Sequence, residues 1–179
     1  YRRAWYRRRR EFELFILRID WQYAAGYIVT CLKKNLWALE PILHAFRNLP
    51  ELIENALTRV LLDRLGLEMR AGSLILGTQR IAEAARGGAV ALLLHASDAS
   101  EDGRKKLDQA WRVGRELEGS GERGVELPLD RDALSVALGR DNVVHLALAE
   151  DASATRVIKP LTRLMHYLGQ EFPAGMAPR

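Results

Sequence analysis

The chain of 179 residues contains a single cysteine, Cys31. One thiol excludes an internal disulfide framework and a cysteine-based zinc site, a pattern typical of a reducing compartment. Long apolar runs are also missing, because the most apolar N-terminal segment, residues 12–36, is interrupted by Arg18, Asp20, Lys33 and Lys34. We therefore expect neither a signal peptide nor a membrane span, and we expect a cytoplasmic protein with no membrane partner.

Motifs for catalysis, metals and cofactors are scarce as well. The sequence has no Gly-x-Ser-x-Gly elbow and no Gly-Lys-Ser/Thr of a phosphate-binding loop. His95 and His145 each lie at or near the C-terminal end of a predicted strand and could approach one another, but neither has metal-type spacing to a second His, Cys or carboxylate. Both are interpreted as hydrogen-bonded structural histidines, and Asp98 as a loop or cap residue. The sequence predicts no enzyme, no metal and no cofactor.

Charge is distributed unevenly along the chain. Residues 1–50 hold ten basic and four acidic residues, a net charge of +6, whereas the remainder, with 17 basic and 19 acidic residues, carries −2. A basic head suggests a polyanionic partner such as nucleic acid. Residues 1–10 combine six arginines with three aromatic residues, which is typical of an RNA-binding arm and also of a solvated terminus. Lys33 and Lys34 are either phosphate contacts or an exposed first helical turn.

Apolar periodicity indicates how the elements follow one another. Strand-like patterns in residues 11–32 and a helical segment at residues 36–46 precede Pro50, which we interpret as a domain boundary and as the first turn of a long helix. The buried face of this helix is predicted from residues spaced three or four apart, which are Leu52, Ile53, Ala56, Leu57, Val60, Leu61 and Leu65. Gly72 is expected to end it.

Beyond Gly72, short apolar runs alternate with helical segments. Strands are predicted at residues 74–76, 90–94, 125–127 and 143–148, and the helices between and after them use Ser100 and Asp130 as N-caps. Gly119-Ser120-Gly121 and Gly139 are expected to end two of these helices. This order predicts an α/β domain over residues 51–169, with a small mixed or parallel sheet covered by helices on both faces and a frayed tail at residues 170–179.

The junction between the first strand and its helix is the best candidate for a binding site. Gly77-Thr78-Gln79-Arg80 opens a helix directly after Leu74-Ile75-Leu76. A helix N-terminus presents unpaired backbone N–H groups and the positive end of the helix dipole to an anion. The anion expected here is a phosphate.

Two stretches of the sequence resemble a known family. LGLEMRAGSLILGTQRIAEAARGGAVALLLHASDASEDGRKKL and DALSVALGRDNVVHLAL resemble the ribosomal kink-turn-binding family, which includes archaeal L-seven-Ae and eukaryotic L-thirty-e proteins. The match covers roughly residues 51–168. Ahead of it, GYIVTCLKKNLW and HAF look like the tail of a YlxR-like domain, which some bacteria fuse in front of a kink-turn-type domain.

The resemblance implies a fold and a function. The fold would be a three-layer α/β/α sandwich with a small mixed β-sheet, preceded by a small basic α+β YlxR-like remnant over residues 1–50. Such bacterial fusions are nucleic-acid-binding proteins implicated in transcription termination. This chain would then be a non-catalytic protein that binds structured RNA, either a kink-turn or ribosomal RNA, in connection with transcription or the ribosome.

The resemblance also implies which residues contact RNA. They lie at the helix start and in the loop before the last strand, supported by Arg86 and the lysine pair, and are Gly77, Thr78, Gln79, Arg80, Arg86, Gly139, Arg140, Asn142, Val143, Lys33 and Lys34. The family pattern at the helix start is Gly-Thr-Asn-Glu with a lysine one turn later. This chain keeps Gly77 and Thr78 but has Gln79, Arg80 and Glu83 at the other positions. A longer amide and a cation do not reproduce the donor–acceptor pattern that reads sheared G·A pairs, and Glu83 repels phosphate where lysine attracts it. Arg80 and Arg86 are expected to supply positive charge beside the helix N-terminus for general binding of structured RNA.

A protein–protein adaptor is the alternative function. Such a protein would keep the fold, lose RNA binding and dock on transcription or ribosome-assembly machinery through a helical face. The face expected to be exposed for this purpose surrounds Trp111. Loss of RNA binding on replacing Arg80, together with steep salt dependence, distinguishes the RNA-binding hypothesis from the adaptor.

Overall fold

A computed structural model of the chain describes residues 47–173. The predictions for residues 1–46, including the YlxR-like remnant, its strands, the helix at residues 36–46, Lys33 and Lys34, lie outside the described residues, as does the end of the tail after residue 173. The described residues form five helices and four strands. In chain order they are α1 (residues 47–70), β1 (Leu74–Leu76), α2 (Thr78–Arg86), β2 (Leu92–His95), α3 (Glu101–Gly114), β3 (Val125–Glu126), α4 (Arg131–Leu138), β4 (His145–Leu148) and α5 (Asp151–Tyr167).

The strands form one mixed sheet in the order β1-β4-β2-β3. The last strand, β4, is antiparallel to both β1 and β2, whereas β2 and β3 are parallel. Leu93 pairs with Ala147 and His95 with His145 in the β2–β4 register. The mixed α/β fold predicted from the alternation of elements is confirmed, and β4 separates the two strands that flank α2.

Apolar clusters lie on both faces of the sheet, because successive strand residues point to opposite sides. Leu92 and Leu94 belong to a large cluster with residues of α1, α4 and α5. Leu93 and Ala147 belong to a second cluster with residues of α2 and α3. Phe172, which the sequence placed in a frayed tail, packs against the first cluster.

Two features of α1 differ from the sequence prediction. Residues 47–49 are already helical, so the helix includes residues ahead of Pro50. Only the second half of the predicted apolar face is buried: Leu61 and Leu65 are in the core, whereas Leu52 and Val60 are exposed. In place of a longer apolar contact, Glu68 in the last turn forms two hydrogen bonds, 2.7 and 2.9 Å long, with Arg156 of α5.

Local sequence explains the ends of the other helices. Ser100 accepts the Gly103 N–H at 3.2 Å and Asp130 accepts the Ala133 N–H at 2.8 Å, as their predicted roles as N-caps require. Gly139 ends α4 in the left-handed region at φ 59°. The third helix, α3, ends at Gly114, earlier than predicted, because Glu116 adopts a positive φ of 57° ahead of the glycine cluster.

The prediction that the helical face around Trp111 is exposed is wrong. Trp111 is 1% exposed and belongs to the cluster between α3 and the sheet. Its indole N–H donates to the Val90 carbonyl at 2.9 Å, and the guanidinium of Arg115 lies over its ring. An aromatic residue with the apolar spacing of Leu107 and Ala110 packs inward with them. No helix in the described range has the length and apolarity needed to cross a membrane.

Candidate functional site

A cavity of about 760 Å³ lies at the edge of the sheet where α2 begins. Six parts of the chain line it: the end of α1, β1, the start of α2, the residues before α3, the start of α4 and the loop that leads into β4. The lining residues include Gly77, Thr78, Arg80, Ser100, Arg131, Arg140, Asn142 and His145. The cavity therefore joins the two segments that the sequence predicted as RNA contacts, although they are about sixty positions apart in the chain.

The N-terminus of α2 forms one wall of the cavity. Gly77 precedes the helix with φ 93° and ψ 126°, and no side chain caps this end. A residue other than glycine is strained at this φ, so the sharp turn from β1 into α2 depends on Gly77. Thr78, Gln79 and Arg80 are exposed in the first turn. This end of the helix therefore offers backbone N–H groups and a partial positive charge to a ligand.

The loop before β4 forms the opposite wall. Gly139 and Asn142 both have positive φ, 59° and 54°, so the loop turns sharply on either side of Arg140 and Asp141. The Val143 N–H donates to Ser135 Oγ at 2.9 Å, which anchors the end of the loop to α4. Arg140 and Asn142 are exposed in the cavity, but the Val143 side chain is buried in the core. The Val143 side chain therefore anchors the loop in the core.

Three predicted site residues do not share this position. Gln79 is turned along the helix, where its amide donates to Glu83 at 3.2 Å. Arg86 lies in the last turn of α2, six residues and about 9 Å along the axis from Arg80, so it does not supply charge beside the helix N-terminus. Gly139 shapes the loop from outside the cavity lining.

The cavity contains both paired and unpaired cations. Arg131 at the start of α4 donates its backbone N–H and its guanidinium to Asp98 and holds the pKa of that carboxyl below its usual value. Asp98 is thus the loop and cap residue that the sequence predicted. Arg80 and Arg140 form no ion pair with any residue in the described part of the chain. Their guanidinium groups remain available to an anionic ligand.

A buried chain of polar side chains lies behind the cavity. The Nδ1 atoms of His95 and His145 are 2.9 Å apart, and His95 Nε2 is 3.0 Å from Asp108 Oδ1. The same Asp108 oxygen accepts the Gly124 N–H at 2.8 Å. Burial and the neighbouring His95 lower the pKa of His145 to about 4. The approach of the two histidines was predicted, but His145 begins β4 and does not lie near the C-terminal end of its strand. The contribution of Asp108 was missed.

The sequence gives one indication that Asp108 belongs to this buried chain of polar side chains. Asp108 lies three residues before Trp111 on the buried side of α3, where a charged residue requires a partner. Within residues 47–173, no group of three or more His, Cys, Asp or Glu side chains is arranged to hold a metal ion.

Comparisons with known proteins do not assign this chain to a family. No protein-family model matches the chain, and no curated protein matches it. A solved structure, described as a protein with unknown function from Bacillus halodurans C, is 24% identical, with coverage of 62% of this chain and 97% of that chain and a TM-score of 0.42.

Proposed function

We propose that this chain is a non-catalytic bacterial protein that binds structured RNA through the cavity at the start of α2. The proposal includes a fold of the ribosomal kink-turn-binding type, a three-layer α/β/α sandwich, and a basic YlxR-like segment in front of it. Its cellular setting would be transcription termination or ribosome function. It has no catalytic step, because the ligand is held by backbone N–H groups, arginines and polar side chains.

The convergence of two distant segments on one cavity supports this proposal most strongly. An uncapped helix N-terminus and the two unpaired guanidinium groups of Arg80 and Arg140 lie around the same space. Each of these features favours a phosphate, and together they surround a volume large enough for a nucleotide. The polar loop at Asn142 adds donors and acceptors for base edges.

The composition of the cavity supports RNA over a lone anion. Apolar side chains from α1 and β1, including Met69 and Leu76, contribute to the lining beside the arginines. An apolar surface next to phosphate-binding groups suits an unstacked base joined to its backbone. Single-stranded or non-canonical regions of a folded RNA present bases in this way, whereas a regular duplex does not.

Binding of the full chain to two RNAs tests the proposal. We expect a fluorescent kink-turn RNA to bind more tightly than a plain duplex of equal length, with affinity falling steeply between two salt concentrations. Arg80→Ala and Arg140→Ala should each weaken kink-turn binding by about tenfold and reduce the salt slope by about one, since each removes one phosphate contact.

Arg86→Ala is the matched control, because it removes an exposed arginine from the other end of the same helix. Little change is expected for this variant. An equal loss for Arg86→Ala and Arg80→Ala would contradict binding at the cavity. Equal, salt-sensitive affinity for the two RNAs would indicate general RNA binding, and absence of RNA binding would favour the adaptor.

A further inference from the structure

His145 places a buried polar atom beside the proposed RNA site. His95 ends β2 and His145 begins β4, and the register of the two strands pairs them directly. Their rings meet edge to face, with an interplanar angle of 88° and only 1% and 7% of the two residues exposed. His145 also lines the cavity with Thr78 and Arg140. A buried histidine therefore connects the protein interior with the ligand space.

The hydrogen bonds determine which nitrogen of His145 carries a proton. Asp108 accepts from Gly124 and so presents an acceptor to His95 Nε2, which must donate. When both rings are neutral, a His95 that donates from Nε2 has an unprotonated Nδ1, so His95 Nδ1 accepts the proton of His145 Nδ1. The remaining nitrogen, His145 Nε2, therefore carries a lone pair.

This lone pair is not used by the described part of the protein. None of the hydrogen bonds there involves His145 Nε2, and no fully enclosed polar side-chain atom of those residues lacks a partner. The atom is therefore not fully enclosed, and His145 lines the cavity. Gly103 keeps it uncovered, because a Cβ at that position would lie only 3.1 Å from Nε2. Burial lowers the pKa of His145 to about 4, so the ring stays neutral and Nε2 stays an acceptor at neutral pH.

Different parts of the cavity suit the phosphate and the base of a nucleotide. Arg80 and Arg140 are exposed and attract phosphate. A phosphate oxygen has no proton to donate to the lone pair of His145, so it is not favoured at that depth. A base amino group donates a proton, and the apolar side chains of Leu74, Leu76 and Val144 in the same lining suit the ring that carries it.

We propose that His145 Nε2, held as an acceptor by His95 and Asp108, selects an unpaired base that carries an exocyclic amino group, by accepting a hydrogen bond from that group. This inference rests on the RNA-binding function proposed above and specifies the class of base that the cavity takes. His145 is the specificity-determining residue, and His95 and Asp108 are positioning residues that set its tautomer. Arg80 and Arg140 hold the phosphate of the same nucleotide.

Three small probes separate these contacts in the full chain. AMP carries both groups, purine riboside 5′-monophosphate lacks the amino group, and adenosine lacks the phosphate. We expect purine riboside monophosphate to bind about tenfold more weakly than AMP, because the buried acceptor loses its donor. Long-range ¹H–¹⁵N spectra should show an unprotonated His145 Nε2 that shifts with AMP and with adenosine but not with the amine-free nucleotide.

A variant tests the assignment to His145. His145→Phe should make the affinities for AMP and purine riboside monophosphate equal, while His166→Phe, at an exposed histidine of α5, should leave the tenfold difference unchanged. The wild-type comparison of the two nucleotides does not depend on folding of the variant.

The results separate this inference from the RNA-binding proposal. Equal affinities in the wild type, binding of neither nucleotide, or a protonated His145 Nε2 would each overturn recognition of the amino group, even if kink-turn RNA binds and depends on Arg80. Absence of RNA binding would overturn the proposed function itself.

Discussion

At the scale of single residues, the contact between His95 and His145 has a cost that depends on pH. Two imidazoles with a shared hydrogen bond 2.9 Å long have room for one proton between them. A further proton places a positive charge among buried groups, near His95 and the guanidinium of Arg104, and Asp108 is the one nearby group that favours it. Folding therefore disfavours a proton on the second nitrogen of His145.

Acidification should destabilise the protein through His145. Its pKa is about 4 when folded and 6.5 in the unfolded reference, so between these values the unfolded chain binds the proton and the folded chain does not. The contribution of His145 to stability is therefore fully present above pH 6.5 and falls by up to about 3 kcal/mol as pH decreases to 4. Urea unfolding of the wild type at a series of pH values measures this decrease.

Comparison with His145→Gln isolates the contribution of this residue. The variant should show a flatter profile between pH 6.5 and 5, whereas His166→Gln should follow the wild type. The carboxyls whose pKa is lowered, Glu68, Asp98 and Glu101, have reference values of 4.5 or less, so they act below this window. A profile for His145→Gln as steep as that of the wild type would show that His145 does not carry the effect.

The sequence indicated the two histidines but not their chemistry. Strand-end positions made an approach of His95 and His145 predictable, because neighbouring strands bring equivalent positions together. Asp108 reaches His95 from a helix, and Gly124 reaches Asp108 from a loop, so those contacts depend on tertiary packing. The burial of Trp111 could have been predicted from its spacing with the other apolar residues of α3. The prediction of an exposed face treated it as an isolated aromatic residue.

At the scale of elements, α2 and α3 approach so closely that glycine is required. A Cβ on Gly114 would lie 1.8 Å from the Ala85 carbonyl oxygen, and a Cβ on Gly88 would lie 2.8 Å from the Gly114 carbonyl oxygen. Both contacts involve backbone atoms, which cannot move away without displacing a helix. This packing fixes the axis of α2 and therefore the direction in which its N-terminus faces the cavity.

Two glycine-to-alanine variants in helices should have opposite effects. Gly114→Ala should destabilise the fold by about 3 kcal/mol or more, because the methyl group forces α2 and α3 apart. Gly66→Ala in α1 should stabilise it by about 1 kcal/mol, because alanine favours helix and its Cβ meets no atom within 4 Å. Urea denaturation midpoints measure both. A neutral Gly114→Ala would show that the helices are not in contact at this point.

Element order was largely predictable from the sequence, and so were several ends. Ser100, Asp130 and Gly139 have local roles, and their side chains or backbone angles act within one turn of the chain. The exposure of Leu52 and Val60 was not predictable, because apolar spacing identifies a face of α1 but not the element that covers it. The sheet order was also beyond local sequence, since β4 enters between β1 and β2 from the far end of the chain.

At the scale of the whole molecule, the basic charge and the candidate cavity are located in different parts of the chain. Residues 1–50 carry +6, whereas the segment with the cavity carries −2. Non-specific attraction to RNA should therefore come mainly from the basic head, since counterion release depends on the number of neutralised phosphates. Selectivity should come from the cavity, where Arg80 and Arg140 line the same space.

Replacing the six arginines of residues 1–10 by glutamine tests this division. We expect affinity for the kink-turn RNA and for the duplex to fall by the same factor, with a smaller salt slope, because these side chains contact phosphates without regard to shape. The ratio of the two affinities should remain that of the wild type. Arg80→Ala with Arg140→Ala should instead reduce that ratio, and electrophoretic mobility shifts with both RNAs at two salt concentrations measure both effects. The arginine-to-glutamine variant of residues 1–10 could instead abolish the preference for the kink-turn while the Arg80→Ala, Arg140→Ala variant left it intact. Selectivity would then belong to the basic segment, and the negative charge of residues 51–179 would weaken RNA binding at the cavity.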